Sequence, residues 1–268
     1  MIKQITLCAD DYGQNQSISQ GIIALLEKNR LSATSCMTSS PDWSAHAKWL
    51  QPFAEHADIG LHFNLTEGKP LSAKAGFLPL SQLILKAYAC QLKESFIKAE
   101  LNAQLDAFAA AMGRLPDFID GHQHIHQLPV IRDVLMSVYE ERLRTTNSYI
   151  RCLYEPYLSS TLKGAIIQLL GAKTFKKNLI QHRIPHNSSF AGIYSFAHSA
   201  HYSRIFPSFL AQIKEGGLIM CHAGLSSQNT EDRIAKTRYH EFVYLKSDDF
   251  VSDCFQAKVV LGRLFSNP

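Results

Sequence analysis

Four short strings hold the residues of this chain that could do chemistry together. They are the acidic pair Asp10-Asp11 in ADDYG, His62 in GLHFNLTEG, the alternating His122, His124 and His126 in DGHQHIHQLP, and His222 in LIMCHAG. Imidazoles gathered with carboxylates suit zinc and other divalent ions. Adjacent aspartates point in different directions, so one can bind a cation while its neighbour stays free as a base. A buried imidazole leaving an apolar strand, as His222 does, can serve as a general acid. Each string alone has a plainer reading. Asp pairs cap helices and build turns. A lone His after a strand is more often a satisfied core or surface group, and Asn64 and Thr66 can simply shape a turn. Arg151 can orient a carboxylate or a substrate oxygen, or be an ordinary surface charge. No GxSxG elbow, P-loop or GxGxxG string is present, and none of the six cysteines lies in a catalytic-thiol signature.

The elements around these strings give them weight as a set. Residues 4–9 read as a short buried strand, followed by a turn at Asp10–Gly13. Ile18, Ile22, Leu25 and Leu26 recur at helical spacing, which predicts a helix over about 16–28 with Asn15 or Ser17 as its cap. A strand at 32–38, a helix in the forties and a strand at 59–61 follow. The segment 64–80 is a long, Gly- and Pro-punctuated loop of the kind that often carries function. Ile97, Leu101, Leu105, Phe108 and Met112 mark a long helix stopped by Gly113 and Pro116. Residues 118–120 form a strand, and Pro129 opens a helix to about 142. A strand at 149–151 and a helix at 159–171 are read next. A loop-rich stretch with four histidines, 182, 186, 198 and 201, spans 181–201. The run 217–221 is a clear buried strand, 224–240 reads as a polar loop, and a helix and a strand near 258–261 follow. Asp10-Asp11, His62, His122 and His222 thus each stand just after a strand. In a parallel barrel those strand ends share one face, where active sites collect. The alternation predicts one α/β domain with a mostly parallel sheet or barrel.

Composition narrows the function classes. The 268 residues are 46% hydrophobic and 19% charged, which is ordinary for a globular chain that can bury a sizeable core. A formal charge of +4 with no basic run beyond Lys176-Lys177 gives no footprint for nucleic acid. The N-terminal string does not read as a signal peptide, and no window approaches a membrane span. Scattered cysteines without a CxxC pair read as reduced buried thiols, so a cytoplasmic location is expected.

The strings ADDYG at 9–13, GLHFNLTEGKPL at 60–71, DGHQHIHQLP at 120–129 and LIMCHAG at 218–224 resemble the YdjC-like carbohydrate deacetylases, which include chitooligosaccharide and hopanoid-associated deacetylases. The resemblance covers the first half in order and spacing plus one later string, and it is thin over about 150–215. It implies a distorted TIM-like (β/α) barrel, a single deacetylase domain over 1–268, one divalent metal (Mg or Zn), and often a homodimer. Carried over by motif, Asp11, His62 and His122 are the expected metal ligands, Asp10 the expected base and His222 the expected acid. Tyr12 stands where Phe is commoner and Gly121 where Ser is commoner, and neither change removes a ligand.

The expected reaction is hydrolysis of the acetamide of an N-acetylated sugar or oligosaccharide by metal-activated water. A backbone N–H near Tyr12 is expected to help stabilise the oxyanion. Tyr12, Asn64, His124, His126 and Arg151, with Asp120 behind the ligands, are expected to contact the sugar or support the site. Two alternatives stay open: a metal-dependent phosphoesterase or other amide hydrolase using the same ligands, and a non-catalytic, metal-stabilised sugar-binding protein. No nucleic-acid or membrane-spanning role is expected.

Overall fold

The computed structural model describes residues 1–160, 162–227 and 232–265. Its strands are β1 (Lys3–Tyr12), β2 (Ala33–Cys36), β3 (Asp58–Phe63), β4 (Phe118–Gly121), β5 (Tyr149–Ile150), β6 (Phe190–Ala191), β7 (Gly217–Cys221) and β8 (Val259–Leu261). The helices are α1 (Gln16–Leu26), α2 (Trp43–Leu50), α3 (Leu80–Tyr88), α4 (Glu94–Met112), α5 (Ile131–Arg142), α6 (Leu162–Ile167), α7 (Lys173–Gln181), α8 (Tyr202–Gln212), α9 (Ala235–Lys246) and α10 (Asp248–Gln256). All strand pairs are parallel, in the order β5-β4-β3-β2-β1-β7-β6, with β8 beside the start of β1. This is the expected barrel-like α/β fold, with helices packed outside a curved parallel sheet.

Among the described residues the ladder does not run from β6 back to β5. Across that seam Ile150 N–H donates to the Pro185 carbonyl, and the buried Asn187 side chain accepts from Cys152 N–H while donating to the Cys152 and Ser189 carbonyls. An amide side chain thus does the work of a ladder rung, satisfying backbone groups that two-residue strands leave unpaired. At the opposite pole Arg263 Nε and Leu264 N–H both reach the carboxylate of Asp58, and Thr6 Oγ1 donates to the Gly262 carbonyl. The 262–265 segment therefore stoppers the N-terminal end of the barrel.

Strand parity decides what faces inward. On β1, Ile5, Leu7 and Ala9 pack outward against the helices, while Cys8 joins Ala33, Phe118, Tyr149, Phe190, Leu218 and Met220 in a separate inner cluster. Gly60 belongs to that interior: a Cβ there would lie 2.4 Å from the Phe118 ring, so only glycine lets the ring fill the barrel. Two residues further along the same inward rows stand Asp10 after Cys8, His62 after Gly60, Asp120 after Phe118, Arg151 after Tyr149 and His222 after Met220. The polar layer is the apolar barrel filling continued by one step toward the strand C-termini.

Helix boundaries follow local chemistry. Asn15 Oδ1 accepts from Ile18 N–H and caps α1. Gly113, in the left-handed region at φ 70°, ends α4. Along α4, Ile97, Leu101, Leu105 and Phe108 are buried as their spacing predicts, each contributing roughly 1.5–3 kcal/mol. Met112 is only partly buried. Several regions differ from the sequence reading. Of the turn expected at Asp10–Gly13, Asp10–Tyr12 are instead the end of β1 and only Gly13 turns. The loop expected over 224–240 gives way to α9 at Ala235, whereas α3, α7, α8 and β6 have no counterpart in the reading.

Candidate active site

The site starts from an irregularity in β1. Its register against β2 slips between Ala9 and Tyr12, and Asp11 takes a left-handed φ of 68°. Asp tolerates that conformation better than most residues, and the bulge turns Asp11 to the rim while Asp10 keeps its inward direction. Asp11 Oδ1 lies 3.3 Å from His62 Nε2 and 3.1 Å from His122 Nδ1, and those two nitrogens are 3.4 Å apart. All three residues are buried.

This triangle can be tested against an ion. Donors bonded at about 2.1 Å stand about 3.0 Å apart in octahedral and about 3.4 Å apart in tetrahedral coordination. The observed edges fall in that interval, and one carboxylate with two imidazoles is a donor set that suits a divalent cation. The residues fit a single metal ion.

Each member has a partner behind it. His62 Nδ1 contacts Asp120 Oδ1 at 2.6 Å, which puts a proton on Nδ1 and makes Nε2 the nitrogen that faces Asp11. Ser35 Oγ donates to the same Asp120 oxygen at 2.5 Å. Asp11 Oδ2 meets Arg238 at 2.8 Å. His122 Nε2 meets Glu67 at 2.8 Å. Burial works against charge on Asp11, but Arg238 and the two imidazoles outweigh it and hold its carboxyl well below the usual range. Burial likewise opposes charge on His62, yet Asp120 and Asp11 lift that ring to about 10. The same balance raises His122, through Asp11 and Glu67. Positive charge is therefore strongly favoured inside the triangle.

A second cluster lies one step deeper. Arg151 is fully buried, and its Nη1 and Nη2 donate to Asp10 Oδ2 and Oδ1 at 2.7 and 2.6 Å. Nη2 also lies 2.6 Å from Asp120 Oδ2 and donates to Cys8 Sγ. One guanidinium thus fixes Asp10 and, through Asp120, the His62 ring. Burial disfavours the Asp120 carboxylate, but Arg151 and His62 depress its pKa nonetheless.

On the opposite rim His222 is half-buried and its Nδ1 has no hydrogen-bond partner among the described residues. Burial lowers the ring to about 4, against the pull of Asp11 and Asp10, so it is uncharged at neutral pH. Its backbone N–H donates to Glu241, whose other oxygen accepts from Tyr194 Oη at 2.6 Å. Burial lifts the Glu241 carboxyl to about 7. From the 181–201 stretch, Phe196 stands edge-on to His222 at 5.4 Å, with Lys163 Nζ 3.6 Å from its ring centre.

Four expected sugar contacts are placed elsewhere. Tyr12 is wholly buried and its hydroxyl donates to the His46 carbonyl. Asn64 spends its side chain on the loop itself, accepting from Thr66 and Glu67 N–H and donating to Ser39 and the Glu67 carbonyl. His126 is fully buried with Nε2 on the Arg151 carbonyl, and burial lowers it to about 4. Arg151 holds carboxylates. These four build the site from within, and their exposed surface is too small to meet a sugar. His124, half-buried at φ 62° with Nδ1 unpartnered, remains beside the mouth. The alternating histidines do not share one face, because the chain turns tightly over His122–Gln127 instead of extending. Gly121 belongs to that turn: a Cβ would sit 2.8 Å from His126 Nδ1 and 2.9 Å from His126 N. Glu67, Arg238, Glu241 and Ser35 were not found by sequence reasoning, and the only sign was the acid of the TEG string in the functional loop.

Fold and site define an α/β barrel carrying a carboxylate–imidazole cluster at the C-terminal mouth of its strands. Residues 4–256 match the family described as YdjC-like protein, and the chain belongs to that family. It is 31% identical over 148 residues to a carbohydrate deacetylase of Danio rerio, an alignment covering 52% of this chain and 47% of that protein. It is 32% identical over 147 residues to a chitooligosaccharide deacetylase of Yersinia enterocolitica, covering 53% and 58%. The chain thus spans about half the length of the curated relatives it matches. A crystal structure from Enterococcus faecalis V583, provisionally described as a cellobiose-phosphate cleavage protein, superposes with a TM-score of 0.74 at 18% identity over 98% of each chain, a likeness of fold. Among the described residues no helix is long and apolar enough to cross a membrane.

Proposed function

We propose that this chain is a metal-dependent hydrolase that removes the acetyl group from an N-acetylated sugar or oligosaccharide. The observation that carries the reading is the triangle of Asp11, His62 and His122, with Asp10 clamped beside it by Arg151. The names of the curated relatives support the substrate class.

Asp11, His62 and His122 would hold one divalent ion, Mg or Zn, which when bound supplies Lewis-acid polarisation of a carbonyl and acidification of water. The chain's own groups then move two protons. Asp10 takes the proton of the attacking water as its oxygen bonds to the acetyl carbon. Arg151 fixes the direction of that carboxylate and leaves it lone pairs for the proton. The C–N bond breaks as the amine nitrogen receives a proton, which His222 would pass on from the water proton taken by Asp10. A ring with a pKa of about 4 is neutral at rest and gives up a proton readily once charged, so it serves as a relay and not as a store. His124 and the 64–79 and 181–201 stretches form the rim against which a sugar would lie.

The test is acetate release from short N-acetylglucosamine oligomers by protein stripped of metal and then resupplied with Mg2+ or Zn2+. Release that stops on stripping and returns with the ion is expected. Stoichiometric ion uptake without release from any N-acetylated sugar would move the assignment to another acylated or phosphorylated substrate, or to binding alone.

A further inference from the structure

The loop over 64–79 has no regular secondary structure, yet it is pinned on both sides of Glu67. Before it, Asn64 N–H donates to Gln104 Oε1 and the Asn64 carbonyl accepts from Gln104 Nε2. After it, Leu71 and Ser72 N–H both donate to the carboxylate of Glu100, fully buried on α4. Glu67 is held between these anchors and faces the site. Its Oε2 lies 2.8 Å from His122 Nε2, and its Oε1 accepts from Gln14 Nε2 at 2.7 Å. Gln14 Oε1 accepts from Arg238 Nη2 at 3.0 Å, and the same nitrogen lies 2.8 Å from Asp11 Oδ2. Asp11 Oδ1, 3.1 Å from His122 Nδ1, closes the circuit.

We propose that Glu67 is a positioning residue for His122, and that through this closed ring of Asp11, His122, Glu67, Gln14 and Arg238 the 64–79 loop sets how tightly the site holds its metal; this rests on the metal reading given above. Glu67 stands to His122 as Asp120 stands to His62: its carboxylate faces the outer ring nitrogen at 2.8 Å, an ion-pair contact where Asp120 makes a hydrogen bond, and so favours the proton there and the other nitrogen toward the ion. The two arrangements differ in their footing. Asp120 is inside the barrel with its side chain 0% exposed, whereas the Glu67 side chain is 48% exposed on a loop that borders the mouth. One ligand is therefore locked by the strands and the other by a surface loop that an arriving substrate would touch.

The experiment uses the full chain stripped of metal. Zn2+ affinity is measured by calorimetry for wild type, Glu67→Ala, Glu67→Gln and Gln14→Ala, with Co2+ visible spectra and thermal unfolding of the metal-free proteins alongside. Glu67→Ala is expected to weaken Zn2+ binding about 10- to 100-fold and to shift the Co2+ bands, while the metal-free unfolding midpoint stays at the wild-type value. Glu67→Gln, whose amide oxygen can still accept from His122, is expected to recover most of the affinity. Gln14→Ala is expected to cost less than Glu67→Ala. Wild-type affinity in Glu67→Ala overturns the proposal, as does an affinity loss that merely follows a lowered unfolding midpoint, or a Glu67→Gln variant no better than alanine. Wild-type protein that takes up no ion overturns the ligand assignment and this inference together, whereas an effect of Glu67→Ala without any sugar deacetylation would leave the inference standing and sink only the reaction.

Discussion

The two halves of the chain build the same mouth by different means. Asp11, His62 and His122 come from β1, β3 and the end of β4, neighbours through β2 in one continuous ladder. Of their direct partners, Asp120 with Ser35 and Glu67 also lie in the first half, and Arg238, from α9, lies in the second. The second half adds Arg151 after a two-residue strand, Glu241 on α9 and His222 at the end of β7. The first half supplies the candidate ligand atoms at strand ends and the acids behind the two imidazoles. The second half supplies the buried cations Arg151 and Arg238, from a short strand and a helix beside a side-chain-stitched seam. The charge balance of the mouth depends on the less regular half.

Removing the most central of those charges should break the comparison outright. Arg151→Met leaves the buried carboxylates of Asp10 and Asp120 without their shared cation. Breaking a buried pair from one side costs ~3–5 kcal/mol, so urea denaturation should show a stability loss of that size, and an unchanged midpoint would mean the second half is not needed to hold the first. A smaller effect is expected at the seam. Asn187→Ala strands the Cys152 N–H and the Cys152 and Ser189 carbonyls at the β5–β6 gap, at a cost of ~1–3 kcal/mol, with hydrogen exchange accelerated at Ile150–Cys152. Equal protection in mutant and wild type would show that the gap needs no stitch.

The smallest test uses pH and separates the halves by sign. His126, in the first half, is depressed from 6.5 to about 4 by burial. Its contribution to stability is complete above pH 6.5 and is lost as pH falls through about 4. Glu241, in the second half, is raised by burial from 4.5 to about 7. Its contribution is complete below pH 4.5 and is lost as pH rises through about 7. Glu241→Gln should therefore reduce the drop in unfolding midpoint between about pH 5 and about pH 8, leaving the acid limb alone. A variant whose midpoints move equally at both pH values would show that Glu241 does not titrate in this window.

Strand ends were legible because a buried parallel strand is a bare apolar run, and a polar residue closing it stands out, as His222 does after LIMC. The stripe of α4 was legible for a similar reason. Helix α9 was not: among the residues it buries are Thr237, Arg238 and Glu241, the last two reaching Asp11 and the His222 N–H, so the face that should have been apolar read as a loop. Helix α8 carries Pro207 inside it, an ordinary signal for a break. The acidic pair was legible as a polar stop after an apolar run, but the β1 bulge that turns its two side chains apart depends on pairing with β2 and leaves no mark in the local string. Glu67, Arg238 and Glu241 were hidden because each acts on a group far away in sequence, and charge alone does not say which surface acid or base is a partner.

The pairing of β1 also bears on how the chain is made. This strand lies inside the sheet, and one of its edges is filled by β7, which follows roughly 200 residues later; at synthesis rates of about 5–20 residues per second that is a delay on the order of ten seconds or more. Throughout it, the apolar edge of β1 and the ligand-bearing strands beside it stand without half of their support, a condition that favours wrong pairing between nascent chains. Expression yield should accordingly respond to temperature and to chaperone supply more than the stability of the finished barrel would suggest.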